Sequence, residues 1–172
     1  MSRAFVREPD GDVPPEPPPE TPVSPHRNLV TARGLSLLQA ELARLDAMLS
    51  RPEGDDASDR ARLARDRRYV ARRLASAEPV VPHGEGDGEA TVAFGCAVTL
   101  ALAGGRRVTW RIVGEDEADP ARGRIAWTSP VAGLLIGLGV GDEVALPAGA
   151  AEVVAIDTAA EPFPEPSTGD PA

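Results

Sequence analysis

The sequence is poor in the residues that build disulfide frameworks, metal centres and membrane spans. It has one cysteine, Cys96, and two histidines, His26 and His83. A single cysteine cannot form an internal disulfide or a cysteine-based zinc site. No segment approaches the roughly 18 apolar residues of a membrane-spanning helix, and the first residues lack the apolar region of a signal peptide. These absences predict a cytoplasmic protein with no cofactor of its own.

Aromatic residues and catalytic motifs are also scarce. Aromatics make up 3% of the chain, so one large core is not expected. The phosphate-binding, dinucleotide-binding and zinc-protease motifs are missing, and two loop histidines do not assemble a Ser-His-Asp triad. The glycine-rich residues 137–141 follow a predicted helix rather than open one, so they are predicted to form a turn. The sequence therefore predicts a protein that is not an autonomous enzyme.

Proline and acidic residues are concentrated at the two ends of the chain. Pro, Asp and Glu make up most of residues 9–25 and half of residues 159–172. Such segments bury too little apolar surface to offset chain entropy, so residues 1–29 and 158–172 are predicted to be disordered tails. The net charge of −9 disfavours indiscriminate DNA binding, which needs a basic surface. The local exception is residues 60–73, which hold seven arginines.

Residues 30–78 are predicted to form an antiparallel helical hairpin, a short coiled coil. The first helix begins at the N-cap Thr31 and ends near Ser50, because Pro52 and Gly54 follow. A second helix is expected over about 56–77, and the short connection makes the two helices antiparallel neighbours. A coiled-coil seam is predicted from leucines spaced three and four residues apart: Leu35, Leu38, Leu42, Leu45 and Leu49. The alternative is a two-helix piece of a larger helical core.

After a linker over residues 79–90, alternating apolar residues predict a small β domain over 91–157. The strands are expected at 91–102, 106–114 and 124–129, with two more between 143 and 157. Pro130 stands at the first position of a predicted short helix. The chain is therefore predicted to be an α+β protein with an antiparallel sheet of about five strands and one short helix packed on it.

Several short motifs in this β domain occur in the order and spacing of one family. They are Phe94-Gly95, Ser129-Pro130, Val140-Gly141-Asp142 and residues 111–119. Over about 60 residues the segment resembles the C-terminal domain of the bacterial Gre (GreA and GreB) transcription elongation factors. Residues 30–35 are similar to the family's opening helix, so the resemblance covers 30–157.

The resemblance implies an FKBP-like C-terminal domain that docks on the rim of the RNA polymerase secondary channel, while the hairpin projects toward the polymerase active site. Thr128, Ser129 and Pro130 stand where the family's docking surface lies. The acidic loop beside them would flank that surface and attract a basic partner. Alternatively, its carboxylates keep a loop soluble and cap local amides. The predicted polymerase-binding residues are Glu115, Asp116, Glu117, Asp119, Thr128, Ser129 and Pro130.

In this family, acids at the hairpin tip help to hold a second Mg²⁺ in the polymerase active site during transcript cleavage. The family pattern is Gly-Asp, two variable residues and Glu-Asn. Here Asp55 matches the first acid, Asp56 is an additional carboxylate, Ser58 replaces the Glu, and Asp59 comes one residue late. Asp55 and Asp56 are the expected ligands of a shared Mg²⁺. Acids at a helix N-terminus also stabilise the helix dipole, which is the alternative role for all three.

Both hairpin arms are shorter than the family's usual arm by about two turns, on the order of 12 Å. A shorter arm places the tip farther from the catalytic magnesium. Whether the protein stimulates cleavage, or is a non-cleaving or inhibitory channel factor that acts on initiation or pausing, therefore stays open.

The arginines of the second helix are the expected contacts to nascent RNA or to phosphates in the channel; the alternative is an ordinary solvated helix face. The predicted contacts are Arg60, Arg62, Arg65, Arg67 and Arg68.

The leading hypothesis is a monomeric, non-enzymatic regulator that binds RNA polymerase and meets RNA and DNA only within the elongation complex. It would modulate elongation, pausing or initiation. Two alternatives stay open. The FKBP-like domain could be a peptidyl-prolyl isomerase or chaperone, although it offers few aromatics for a proline pocket. The hairpin could also serve as a coiled-coil adaptor that is independent of polymerase.

Overall fold

A computed structural model describes residues 18–51, 56–82 and 90–161 of the chain. The first two helices are α1 (Ala32–Leu49) and α2 (Ala57–Ala75). The Thr31 side chain accepts a hydrogen bond from the Gly34 amide at 2.9 Å, so the predicted N-cap is confirmed. The guanidinium of Arg60 donates to the carbonyl of Leu49, which shows that the start of α2 lies beside the end of α1.

The predicted leucine seam forms the core of the hairpin. Leu38 and Leu45 of α1 are buried with Val70 of α2, and Leu35 and Leu42 pack against them. The seam has little apolar surface to either side, so the two helices bury their apolar stripes mainly on each other.

A two-stranded parallel ribbon joins the ends of the hairpin. Strand β1 (Leu29–Val30) pairs with β2 (Glu78–Pro79). The Glu78 amide donates to the Asn28 carbonyl at 2.8 Å, and the Asn28 side-chain amide donates to the Arg73 carbonyl at 2.6 Å. The sequence analysis missed this ribbon, because two-residue strands carry no readable period.

The C-terminal domain is built on a five-stranded sheet with the order β5-β4-β3-β7-β6. Three of its four strand pairs are antiparallel, whereas β4 and β5 are parallel because residues 114–123 cross over between them. The crossover contains two 3-10 turns, the acidic one at Glu115–Glu117. The strands are β3 (Ala97–Leu102), β4 (Arg107–Val113), β5 (Arg124–Ala126), β6 (Glu143–Leu146) and β7 (Gly149–Asp157).

The short helix α3 (Pro130–Leu135) packs on this sheet. The Ser129 hydroxyl accepts a hydrogen bond from the Ala132 amide at 3.2 Å, and Pro130 occupies the first turn, as predicted. Ala132 and Leu135 enter the core beside Ile112 of β4 and Val153 of β7. The predicted α+β class, with an N-terminal helical hairpin, is therefore confirmed.

The ordered body extends beyond both predicted tail boundaries. Asn28 is buried, and residues 20–27 contact the hairpin and the C-terminal domain. At the other end Glu161 pairs with Arg124. Charged side chains from a Pro-rich segment thus find partners on the body, which composition alone did not reveal. The predictions for residues 1–17 and 162–172 concern residues outside those that the structure describes. Among the described helices, none has the length and apolarity needed to cross a membrane.

Candidate functional site

The acidic turn Glu115–Glu117 lies between the hairpin and the C-terminal domain. Glu117 is its most enclosed residue, with a side chain that is 2% exposed. Its carboxylate accepts hydrogen bonds from the Thr31 hydroxyl, from Arg33 Nη1 at 3.0 Å and from Arg124 Nη1 at 2.9 Å. Thr31 and Arg33 belong to the start of the hairpin and Arg124 to β5, so this single carboxylate connects the two parts of the molecule.

The base of α2 meets the same turn through Arg73, whose side chain is 1% exposed. Arg73 Nε donates to Asp116 Oδ2 at 2.6 Å, and its Nη2 lies 3.3 Å from Glu115 Oε2. The Tyr69 hydroxyl donates to Asp116 Oδ1 at 2.8 Å. Burial, together with this hydrogen bond, raises the pKa of Tyr69 to about 12.

We call this set the junction cluster: Arg33, Tyr69, Arg73, Glu115, Asp116, Glu117 and Arg124. At the hairpin base it pairs three carboxylates with three guanidinium groups. Buried charges need such partners, because pairing compensates the free energy lost when they leave water. Sequence reasoning assigned the acids to the polymerase surface and missed the arginines, because the partners are distant along the chain.

The predicted polymerase-binding acids therefore have partners within the chain. Glu115, Asp116 and Glu117 are committed to the junction cluster, which reduces the negative field that they present outward. Asp119 lies apart from them, 38% exposed, with a carboxylate oxygen 3.5 Å from Arg122 Nε. The contact of these four acids with a partner stays a prediction. In the structure, Glu115, Asp116 and Glu117 contact the hairpin, whereas the Asp119 carboxylate lies near Arg122.

The predicted docking residues lie beside that turn. The Thr128 hydroxyl donates to Glu115 Oε1 at 3.2 Å, Ser129 caps α3, and Pro130 is exposed. The structure adds exposed apolar residues that sequence reasoning did not select, on α3 and in the loop that follows it. They are Leu134 at 46%, Ile136 at 42% and Val140 at 60% exposure.

At the hairpin tip, Asp55 lies outside the described residues. Asp56 is the N-cap residue of α2 but makes no side-chain capping bond. Asp59 lies 3.7 Å from Arg62, and both side chains are well exposed. Within the described parts of the chain, no three His, Cys, Asp or Glu side chains come together as metal ligands.

Most of the arginines predicted to contact nucleic acid are engaged within the protein. Arg60 donates to the carbonyls of Leu49 and Arg51, each at 3.1 Å, and so caps the end of α1. Arg65 pairs with Asp66, Arg67 with Asp46, and Arg68 with Glu20. The Arg62 side chain is 66% exposed, more than those of Arg65, Arg67 and Arg68, and its pairing with Asp59 is long.

Comparisons of the sequence with known proteins found relatives over most of the chain. The family profile described as "Transcription elongation factor, GreA/GreB, C-term" matches residues 87–158. Transcription elongation factor GreA of Neisseria meningitidis serogroup A is 36% identical over 149 residues, which cover 72% of this chain and 91% of that protein. GreA of Hyphomonas neptunium is 52% identical over 66 residues, but this alignment spans only 37% of this chain and 42% of that relative.

A solved structure of a GreA/GreB factor from Nitrosomonas europaea is 20% identical, with a TM-score of 0.38 and coverage of 77% of this chain and 98% of that one. The sequence relationship over nine-tenths of the Neisseria protein is the decisive comparison. On that relationship, together with the match of the C-terminal domain, the chain belongs to the GreA/GreB family of transcription elongation factors.

Proposed function

We propose that this protein binds RNA polymerase at the rim of the secondary channel through its C-terminal domain and places its helical hairpin in the channel. The observation that carries the proposal is the hairpin's attachment. The parallel ribbon holds the two ends of the arm together, and the buried contacts of Arg73 and Glu117 fix the arm to the β domain. Docking of the domain therefore sets the direction in which the arm points.

The docking surface is formed by Pro130 and the exposed apolar residues Leu134, Ile136 and Val140. Burial of apolar area on a partner contributes roughly 25 cal/mol per Å². The capped start of α3 is already ordered, so little conformational entropy is lost when a partner packs there. Thr128 and Ser129 hold this surface in place through their hydrogen bonds to Glu115 and to the Ala132 amide.

The length of the arm supports a regulator that does not stimulate transcript cleavage. Helices of 18 and 19 residues are about 27 and 29 Å long at 1.5 Å per residue. A carboxylate must approach Mg²⁺ to about 2.1 Å, so an arm that is two turns short leaves the tip acids out of reach. The described tip acids, Asp56 and Asp59, are too few to form a metal site by themselves.

Inside the channel, Arg62 is the arginine best placed to approach nucleic acid, because it is exposed and lies near the tip. The occupied channel would alter elongation, pausing or initiation by steric and electrostatic means.

The docking surface is tested by binding of the full chain to purified core polymerase. Pro130→Asn and Leu134→Asp should each weaken binding at least tenfold. Val81→Asp places the same new charge at an apolar residue that is 70% exposed outside this surface, and it should bind like the wild type. Unchanged binding by both docking variants would show that polymerase does not bind this surface. If purified polymerase does not bind the wild-type chain, the proposed function is wrong.

Cleavage is tested with a backtracked elongation complex. We expect that transcripts keep their length when this protein is added, whereas a cleavage-competent Gre factor shortens them in the same assay. Rapid shortening of the transcripts that disappears in the Asp55→Ala/Asp56→Ala double variant would contradict the proposal. It would indicate that the tip acids bind a shared Mg²⁺ after all.

A further inference from the structure

The N-terminal segment 20–28, which we call the strap, runs from the arginine-rich helix α2 to the C-terminal domain. At its start, the carboxylate of Glu20 bridges two guanidinium groups. Oε1 accepts from Arg68 Nε at 2.7 Å, and Oε2 accepts from Arg72 Nη2 at 2.8 Å. Arg68 holds the pKa of Glu20 below its usual range, so this carboxylate carries its charge at neutral pH.

Further along, the strap reaches the residues that adjoin Pro130. The Ser24 hydroxyl donates to Glu115 Oε1 at 2.9 Å, and this is the same oxygen that accepts from the Thr128 hydroxyl. The His26 ring meets the Trp127 ring edge to face, with 6.1 Å between the ring centroids. Beyond it, Asn28 is buried and anchors the strap to the hairpin.

We propose that the strap covers Trp127 and Glu115 beside the docking surface, and that RNA polymerase displaces the strap when it binds. This inference rests on the proposed function. The occupant is a segment of the same chain. It is positioned by the edge-to-face contact of His26 with Trp127 and by the hydrogen bond from Ser24 to Glu115, the carboxylate that also accepts from Thr128.

The contacts of the strap suit an occupant that can be displaced. The side chains of Glu20, Arg68 and Arg72 are 47–49% exposed, and ion pairs of this kind are weak and screened by salt. The anchor at Asn28 keeps the strap attached when these contacts open. A tethered segment competes at a high effective concentration, so weak contacts are enough to reduce the affinity for a partner.

The strap is tested by loosening it and by locking it. Glu20→Gln/Ser24→Ala/His26→Ala removes its described side-chain contacts to α2 and the C-terminal domain, and Glu152→Gln on the exposed face of β7 is a matched charge control. Ser24→Cys/Thr128→Cys locks the strap through a disulfide, which is feasible because the two hydroxyls share one acceptor oxygen. The same variant with the disulfide reduced is the control. Heteronuclear NOE values of residues 20–26 report strap order in the free protein, and affinity for core polymerase is measured separately.

In the free protein, we expect the loosened variant to lose NOE intensity over residues 20–26 relative to the wild type. It should bind polymerase three- to tenfold more tightly at low salt, with the gain shrinking as salt rises. The oxidised lock should bind at least threefold more weakly than the reduced form.

If the wild-type strap is already as mobile as the variant, or if the loosened strap leaves affinity unchanged while the wild type binds, the cover is disproved although the proposed function stands. If no form binds polymerase, the proposed function fails first, and the cover fails with it.

Discussion

A buried arginine, Arg73, joins α2 to the acidic turn of the C-terminal domain. A guanidinium group with a side chain that is 1% exposed is stable only where carboxylates compensate its charge, and Glu115 and Asp116 do so here. Arg72, its neighbour, pairs with Glu20 at the exposed surface instead. Two adjacent arginines of one helix therefore make very different contributions to stability.

Arg73→Met should lower the free energy of unfolding by about 3 kcal/mol, because it leaves two partly buried carboxylates without their cation. Arg72→Met removes one exposed ion pair and should cost less than about 1 kcal/mol. Urea denaturation followed by circular dichroism measures both. Equal losses in the two variants would show that the contacts of Arg73 contribute no more than a surface pair.

The single tyrosine, Tyr69, gives the junction cluster a titration signal of its own. Its pKa is raised to about 12 by burial and by the hydrogen bond to Asp116, whereas an unfolded tyrosine titrates near 10. Between these values the unfolded chain has lost the proton and the folded chain still holds it. The stabilisation is therefore complete below about pH 10 and is lost as the pH rises toward 12.

We expect the ultraviolet absorbance of tyrosinate to rise with a midpoint near pH 12 in the folded protein and near pH 10 in urea. Asp116→Asn removes the charged acceptor and should lower the folded midpoint. A folded midpoint at the ordinary value would mean that Tyr69 is solvated and does not belong to the cluster.

At the scale of elements, α1 contains a glycine whose position is explained by the acidic turn. A Cβ on Gly34 would lie 2.8 Å from Glu117 Oε2. That carboxylate cannot move aside freely, because three side chains donate to it. The helix therefore accepts the lower propensity of glycine so that Glu117 can approach.

Gly34→Ala should destabilise the protein by about 1–2 kcal/mol, because the overlap with Glu117 outweighs the gain in helix propensity. Gly133→Ala is the matched control. It lies on the exposed face of α3, no atom lies within 4 Å of its added Cβ, and it should stabilise by about 0.5–1 kcal/mol. Thermal denaturation distinguishes the two, and a stabilising Gly34→Ala would contradict the close approach of Glu117.

At the scale of the whole molecule, Glu117 holds the hairpin and the C-terminal domain in one arrangement. Its donors come from both parts, so its loss should loosen the joint without unfolding either. Spin labels at Ala43 of α1 and Glu152 of β7 would report the distance between the two parts. Glu117→Gln should broaden this distance distribution, whereas Glu41→Gln, which alters an exposed pair with Arg44 on α1, should leave it narrow. Distance distributions of equal width in the two variants would show that Glu117 does not hold the two parts together.

Local patterns predicted the elements well, because each depends on residues that are neighbours in sequence. The leucine spacing predicted the hairpin, and Thr31 and Pro130 marked two helix starts. The junction cluster could not be predicted in this way. Glu117 and Arg33 are 84 residues apart, and their pairing depends on how the hairpin is set on the sheet. For the same reason, the acidic turn was interpreted as an exposed feature.

The side-by-side pairing of β1 and β2 has a consequence for how such proteins can diversify. The chain enters and leaves the two-helix arm at the same place, because β1 and β2 lie side by side. The arm is therefore an insertion that is joined to the rest of the fold at one point. Equal additions to both helices, in whole heptads, would keep the seam in register and move the tip outward by about 10 Å for each seven residues. The reach of the arm can therefore be lengthened or shortened while the C-terminal domain stays the same.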